Sequence, residues 1–145
     1  MSATREQRAR TRTFARVLGP YLVIAPGIIA WRAPEMDVLA ADFFKSELAV
    51  WFAGAGLLFA GLLIIALHQY WSSAAAVIIS LFGWILALRG LVLMTAPGLY
   101  ERAAVALDTV SLVRLIFGVI AAIGLYLTGV GWLTRPAEPS AADAS

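Results

Sequence analysis

The sequence predicts an all-α bundle of four membrane-spanning helices, on three observations. The chain of 145 residues is 61% hydrophobic and only 14% charged, with a mean hydropathy of +0.85, more apolar than a soluble domain tolerates. Its apolar residues come in blocks near the ~20 residues a helix needs to cross a hydrocarbon core, rather than in alternating β-type runs. Basic residues are concentrated ahead of the first block, where they orient a membrane protein.

The first block spans residues 15–31 and only just reaches across a bilayer; Pro20 and Pro26 are expected to kink it. Before it lies a basic leader, residues 1–14, whose Arg5, Arg8, Arg10 and Arg12 are continued by Arg16. Such a leader resembles the start of a signal peptide. Two prolines in the apolar stretch and the lack of an A-x-A site at the right distance favour a retained span. The second block, 48–67, has no charge. The third, 72–95, holds only Arg89, and the fourth, 110–133, only Arg114. After it, residues 135–145 are rich in Ala, Pro and Ser and read as a disordered tail.

Arginines resist translocation, so the leader is expected in the cytoplasm, and an even number of crossings returns the tail there. The linkers 32–47 and 96–109 then face outward. They hold Arg32, Lys45 and Arg102 against Glu35, Asp37, Asp42, Glu47, Glu101 and Asp108. Each reads as a short interfacial helix. In the first, Pro34 suits an initial helical position, and Met36, Leu39, Ala40 and Phe43 form one apolar face. Between spans two and three only His68, Gln69, Tyr70 and Trp71 intervene, so those helices are adjacent and antiparallel.

A shift of 63 positions aligns Ala33-Pro34 with Ala96-Pro97, Ala40-Ala41 with Ala103-Ala104, Gly27 with Gly90 and Gly61 with Gly124. The pattern describes two parallel repeats of a helical hairpin with a short interfacial helix in each. Small side chains mark the expected seams: Ser73, Ala76, Ser80, Gly83, Ala87 and Gly90 on span three; Ala49, Ala53, Gly56 and Ala60 on span two; Ser111, Gly118, Ala121 and Ala122 on span four. Trp31, Trp51, Tyr70, Trp71, Tyr100 and Trp132 fall near span ends as an aromatic belt, with Trp84 near mid-membrane.

Few residues offer chemistry. The chain has no cysteine and one histidine, which excludes disulfides and thiolate or His-rich metal sites. No nucleotide-binding or catalytic pattern is present, so no catalytic, cofactor or metal residue is assigned. The net charge is +2, with five arginines gathered at the N-terminus where they report orientation, and nucleic acid is not an expected partner. Arg89 and Arg114 lie at a shared depth inside the outer ends of their spans. Either they anchor the spans by snorkelling or pairing with Glu47, Glu101 or Asp108, or together they contact an anion or lipid headgroup. His68 closes span two, where it either caps helix carbonyls or acts as an interfacial pH switch. No span carries the acid that proton-coupled carriers need.

The run LHQYW at 67–71, the run LFGWILALRG at 81–90 and the closing Ala96-Pro97 resemble a group of small four-span bacterial inner-membrane proteins without an established activity. The matching positions are His68, Trp71, Gly83, Trp84, Arg89, Gly90 and Pro97, with Gln69 where that group has Asn. The resemblance implies the inner membrane and carries no mechanism. The expectation is a non-enzymatic protein acting through helix and lipid contacts. Its partners would be membrane lipids and either further copies of itself or another membrane protein. The alternative is a small oligomeric transporter or channel.

Overall fold

The computed structural model describes residues 5–106 and 110–133. The tail 135–145, the first four residues of the leader and Asp108 lie outside the described residues. The described chain is helical almost throughout, and we number its α-helices in order: α1 Arg5–Trp31, α2 Met36–Lys45, α3 Glu47–Leu67, α4 Ala74–Thr95, α5 Pro97–Ala106 and α6 Val110–Trp132. A short 3-10 turn, Ala33–Glu35, with Pro34 at its start, joins α1 to α2. Helices α1, α3, α4 and α6 are long and apolar enough to cross a membrane, and the fold is the all-α bundle of a multi-pass membrane protein.

α1 begins ten residues before the apolar block does. Residues 5–14 are mostly good helix formers, and Glu6 bonds Arg10 one turn on at 2.8 Å, so the leader simply extends the first span. The helix runs through both Pro20 and Pro26. α3 and α4 start on serine caps: Ser46 Oγ accepts the Ala49 N–H at 3.3 Å, and Ser73 Oγ accepts the Ala76 N–H at 3.2 Å.

The bundle is two tight antiparallel pairs, α3 with α4 and α1 with α6, set side by side through α1 and α4. Glycines fix both pairs. A Cβ on Gly61 would strike the Ala87 backbone, and one on Gly90 would strike that of Leu58. In the other pair a Cβ on Gly124 would stand 2.7 Å from Val23 N, and one on Gly131 would stand 2.7 Å from Arg16 N. The backbones therefore touch at these points, the closest packing a lipid-embedded pair can reach.

The seam predicted on span three is real from Ala76 through Ser80, Gly83, Ala87 and Gly90, all buried, while Ser73 is exposed and serves as the cap. The seams predicted on spans two and four are rotated from the observed ones. α3 buries Val50, Gly54, Gly61 and Ile64, whereas Gly56 faces open space. α6 buries Gly124, Leu127 and Gly131, whereas Ser111, Gly118 and Ala122 are exposed. Both helices hold small residues on several faces, and the face chosen is the one whose glycines meet the partner's backbone.

Two copies of one order follow each other: spanning helix, Ala-Pro break, short helix, returning helix. α3 starts at Glu47 and α6 at Val110, 63 residues later, in the register of the two Ala-Pro breaks. The returning helix of each unit packs on the first helix of the other, since α3 meets α4 and α6 meets α1. α1 and α4 thus run the same way on either side of the junction between units. Its apolar part gathers Ala15, Leu22, Ile64, Ala75, Ile79 and Leu127.

Candidate functional site

Two clusters, one at each end of the bundle, hold the polar side chains that the sequence singled out. At the end bearing the arginine leader, α3 stops at Leu67 and the His68 N–H still bonds Ile64 O at 2.7 Å. The extended backbone of His68 then turns its ring inward, between α1 and the start of α4. His68 is fully buried, not interfacial as its position at a span end suggested. Its Nε2 lies 3.0 Å from Thr11 Oγ1 and its Nδ1 lies 3.3 Å from Ser80 Oγ.

The Thr11 hydroxyl assigns a proton to Nε2 of the ring. Thr11 donates its one hydroxyl proton to Gln7 O, one turn back on α1 at 2.9 Å, so its oxygen accepts from His68 Nε2–H. Ser80 Oγ has one proton and three acceptors around it: Tyr70 O at 3.1 Å, His68 O at 3.3 Å and, on an Nε2–H ring, the His68 Nδ1 lone pair at 3.3 Å. The imidazole is sandwiched edge-on between Phe14 and Tyr70, both with ring centroids 5.2 Å away. Burial pushes the His68 pKa below its ordinary value, a shift opposed in part by the backbone hydrogen bond at its own residue. No carboxylate among the described residues touches the ring to reverse this, which fits the neutral Nε2–H tautomer. Ser80 and His68 resemble a nucleophile and its base by residue type alone: both are buried.

At the same end two arginines of α1 close α6. Arg12 Nε and Arg16 Nε both donate to Gly131 O, at 3.1 and 2.8 Å, and the Arg16 guanidinium lies 5.6 Å from the Trp132 ring centre. The last turn of α6 has no basic residue of its own. Its terminal carbonyl is served from the neighbouring helix instead. Sequence reading took these arginines as orientation signals, and nothing in their spacing reveals the partner.

At the opposite end α2 and α5 lie beside each other over the ends of α3 and α4. Arg89, exposed on α4, places its guanidinium 5.0 Å from the centre of the Tyr100 ring on α5. Tyr100 in turn neighbours Phe44 of α2, centroid to centroid 6.1 Å. Phe44 forms one wall of a groove of about 240 Å³ completed by Glu47, Val50, Trp51, Leu93, Met94 and Pro97. The sequence pattern left Phe44 out of the α2 apolar face, and so missed it. A second groove, about 260 Å³ and wholly apolar, runs between α1 and α3 beside Phe14 and Ile64.

Arg114 is exposed in the second turn of α6. Arg89 and Arg114 share no partner, and neither pairs with a carboxylate among the described residues, whereas Glu6–Arg10, Arg32–Glu35 and Asp42–Lys45 each close an ion pair within one turn. Of the partners open to Arg89, Glu47 and Glu101 are not used, Asp108 lies outside the described residues, and the guanidinium meets the face of Tyr100, which holds a cation without neutralising it. Among the described residues no group of three or more His, Asp or Glu gathers to hold a metal. No family model matches this sequence, and no curated protein and no solved structure is significantly similar to it.

Proposed function

We propose that the chain is a non-enzymatic protein of a bacterial inner membrane that works by lateral contact with lipid, with its arginine-bearing end and both termini in the cytoplasm. The orientation rests on the five arginines Arg5, Arg8, Arg10, Arg12 and Arg16 at one end of the bundle. The lipid reading rests on Arg89, an exposed guanidinium lying against Tyr100 without a carboxylate partner among the described residues and beside a largely apolar groove. A cation held at the edge of the hydrocarbon without a counter-ion attracts a phosphate from the adjoining leaflet.

Most of each span is available for such contacts. The apolar window of α4, the most enclosed helix, is 33% buried, and that of α6 is 11% buried. Arg89 is the residue expected to decide headgroup retention, with Arg114 acting as a separate anchor. The test is lipid analysis of the detergent-purified protein by native mass spectrometry. Arg89→Leu should lose bound phospholipid while Arg114→Leu keeps it. Equal lipid in wild type and Arg89→Leu would overturn the proposal.

A further inference from the structure

The groove beside Arg89 carries a second charge of opposite sign, and the two are not joined to each other. Glu47, in the first turn of α3, lines the groove at its α2 end. Arg89 lies one turn before Leu93, which forms the facing wall on α4. Between them run Tyr100, under the guanidinium, and Phe44, beside Tyr100 and in the groove wall. Gly90, next to Arg89, packs on Leu58 of α3, so the arginine enters its span well below Glu47 and reaches toward it only through its long side chain. Here the aromatic pair stands between them and both are exposed.

Resting on the lipid reading of Arg89, we propose that this groove selects a zwitterionic headgroup, an ammonium joined to a phosphate, as in phosphatidylethanolamine. The phosphate takes the Arg89 guanidinium through charge-assisted bonds, and the ammonium takes the Glu47 carboxylate and the faces of Phe44 and Trp51. The upper acyl carbons lie against Val50, Leu93 and Met94. Charge complementarity excludes the simpler occupants. A purely anionic headgroup brings its negative charge against Glu47, and a purely cationic amphiphile brings its positive charge against Arg89. Only a headgroup bearing both signs leaves neither Glu47, in the groove wall, nor Arg89, beside it, opposed.

The full chain is reconstituted in bilayers of equal phosphatidylethanolamine and phosphatidylglycerol, and retained lipid is read by native mass spectrometry, with helix content by circular dichroism as the folding control. The wild type retains the ethanolamine lipid about tenfold over the glycerol lipid, the ratio that one charge-assisted bond supports. Glu47→Gln, nearly isosteric, brings the ratio close to unity while lipid is still retained. Arg89→Gln loses both lipids. Glycerol lipid favoured by the wild type, or an unchanged ratio in Glu47→Gln, overturns the zwitterion inference and leaves the Arg89 reading standing. Full retention by Arg89→Gln, or no lipid held by the wild type, overturns both.

Discussion

Thr11 and His68 are 57 residues apart in sequence and 3.0 Å apart in space, hydroxyl oxygen to Nε2. The contact ties α1, and through it the α1/α6 pair, to the turn that links α3 and α4. Around it the junction between the pairs is apolar, and in lipid apolar surface gives helices no net drive to associate. A buried hydrogen bond is therefore the directional part of the junction, and it selects one register of α1 against α4.

Thr11→Val keeps the shape and removes the acceptor, leaving the His68 Nε2–H buried without a partner. We expect a loss of ~1–3 kcal/mol in the stability of the detergent-solubilised protein. Adding His68→Phe to Thr11→Val removes the stranded donor as well, and should recover part of that loss. A double-mutant cycle in mixed-micelle unfolding checks this, and strictly additive effects would refute the coupling.

Acid should loosen the same junction. The groups facing the imidazole are Thr11 and Phe14 from α1, Tyr70 from the turn and Ser80 from α4, and the charges α1 carries along this stretch are those of the leader arginines and Glu6. None of the facing groups attracts an imidazolium. Burial lowers the folded pKa of His68 from the ordinary histidine value of 6.5, so below that pH the unfolded chain binds a proton the folded chain does not. The stability that neutral His68 contributes is whole above about pH 6.5 and declines as the pH falls through the lower folded pKa. Unfolding measured from about pH 7.5 to pH 5 should show this slope in wild type and less of it in His68→Gln.

Four glycines separate true contact from mere composition. Gly61→Ala and Gly90→Ala each drive a methyl group into partner backbone, at Ala87 and at Leu58 respectively, and neither obstacle is a side-chain tip that can swing away. Each should cost ~1–3 kcal/mol through forced separation of α3 and α4. Gly56→Ala and Gly118→Ala meet nothing within 4 Å and should be neutral or slightly stabilising, alanine being the better helix former. Thermal stability of the four variants in one detergent decides the matter.

Sequence patterning carried the architecture because lipid imposes it. Chain in hydrocarbon must satisfy its own amides, so block length dictates helices, and the short turn after Leu67 dictates the α3/α4 hairpin. The second pair was out of reach, since α1 and α6 lie at opposite ends of the sequence and alanine and glycine occur on several faces of α6. Period alone cannot choose between Gly118 and Gly124 when both sit in stripes of small residues. For the polar groups the gap has a different cause. His68 occupies a span end, where a histidine ordinarily meets water, and only the extension of α1 back to Arg5 supplies Thr11 and Phe14 to enclose it.

That extension also gives two of the leader arginines a packing role. Arg12 and Arg16 lie one turn apart on α1 and reach one acceptor, Gly131 O, so the α1/α6 pair is latched at its arginine-bearing end by two charge-assisted bonds. Either arginine alone still caps the carbonyl, which predicts redundancy. Arg12→Gln or Arg16→Gln singly should change amide exchange at Trp132 and Leu133 little, whereas the double variant should raise it by about tenfold, the opening expected on losing ~1.4 kcal/mol of local stability. Because Gly131 also needs its missing side chain for contact with Ala15 and Arg16, exchange at Gly124 and Leu127, deeper in the pair, should stay slow in the double variant. Uniformly faster exchange along all of α6 would instead mean that the arginines hold the whole pair together rather than its end.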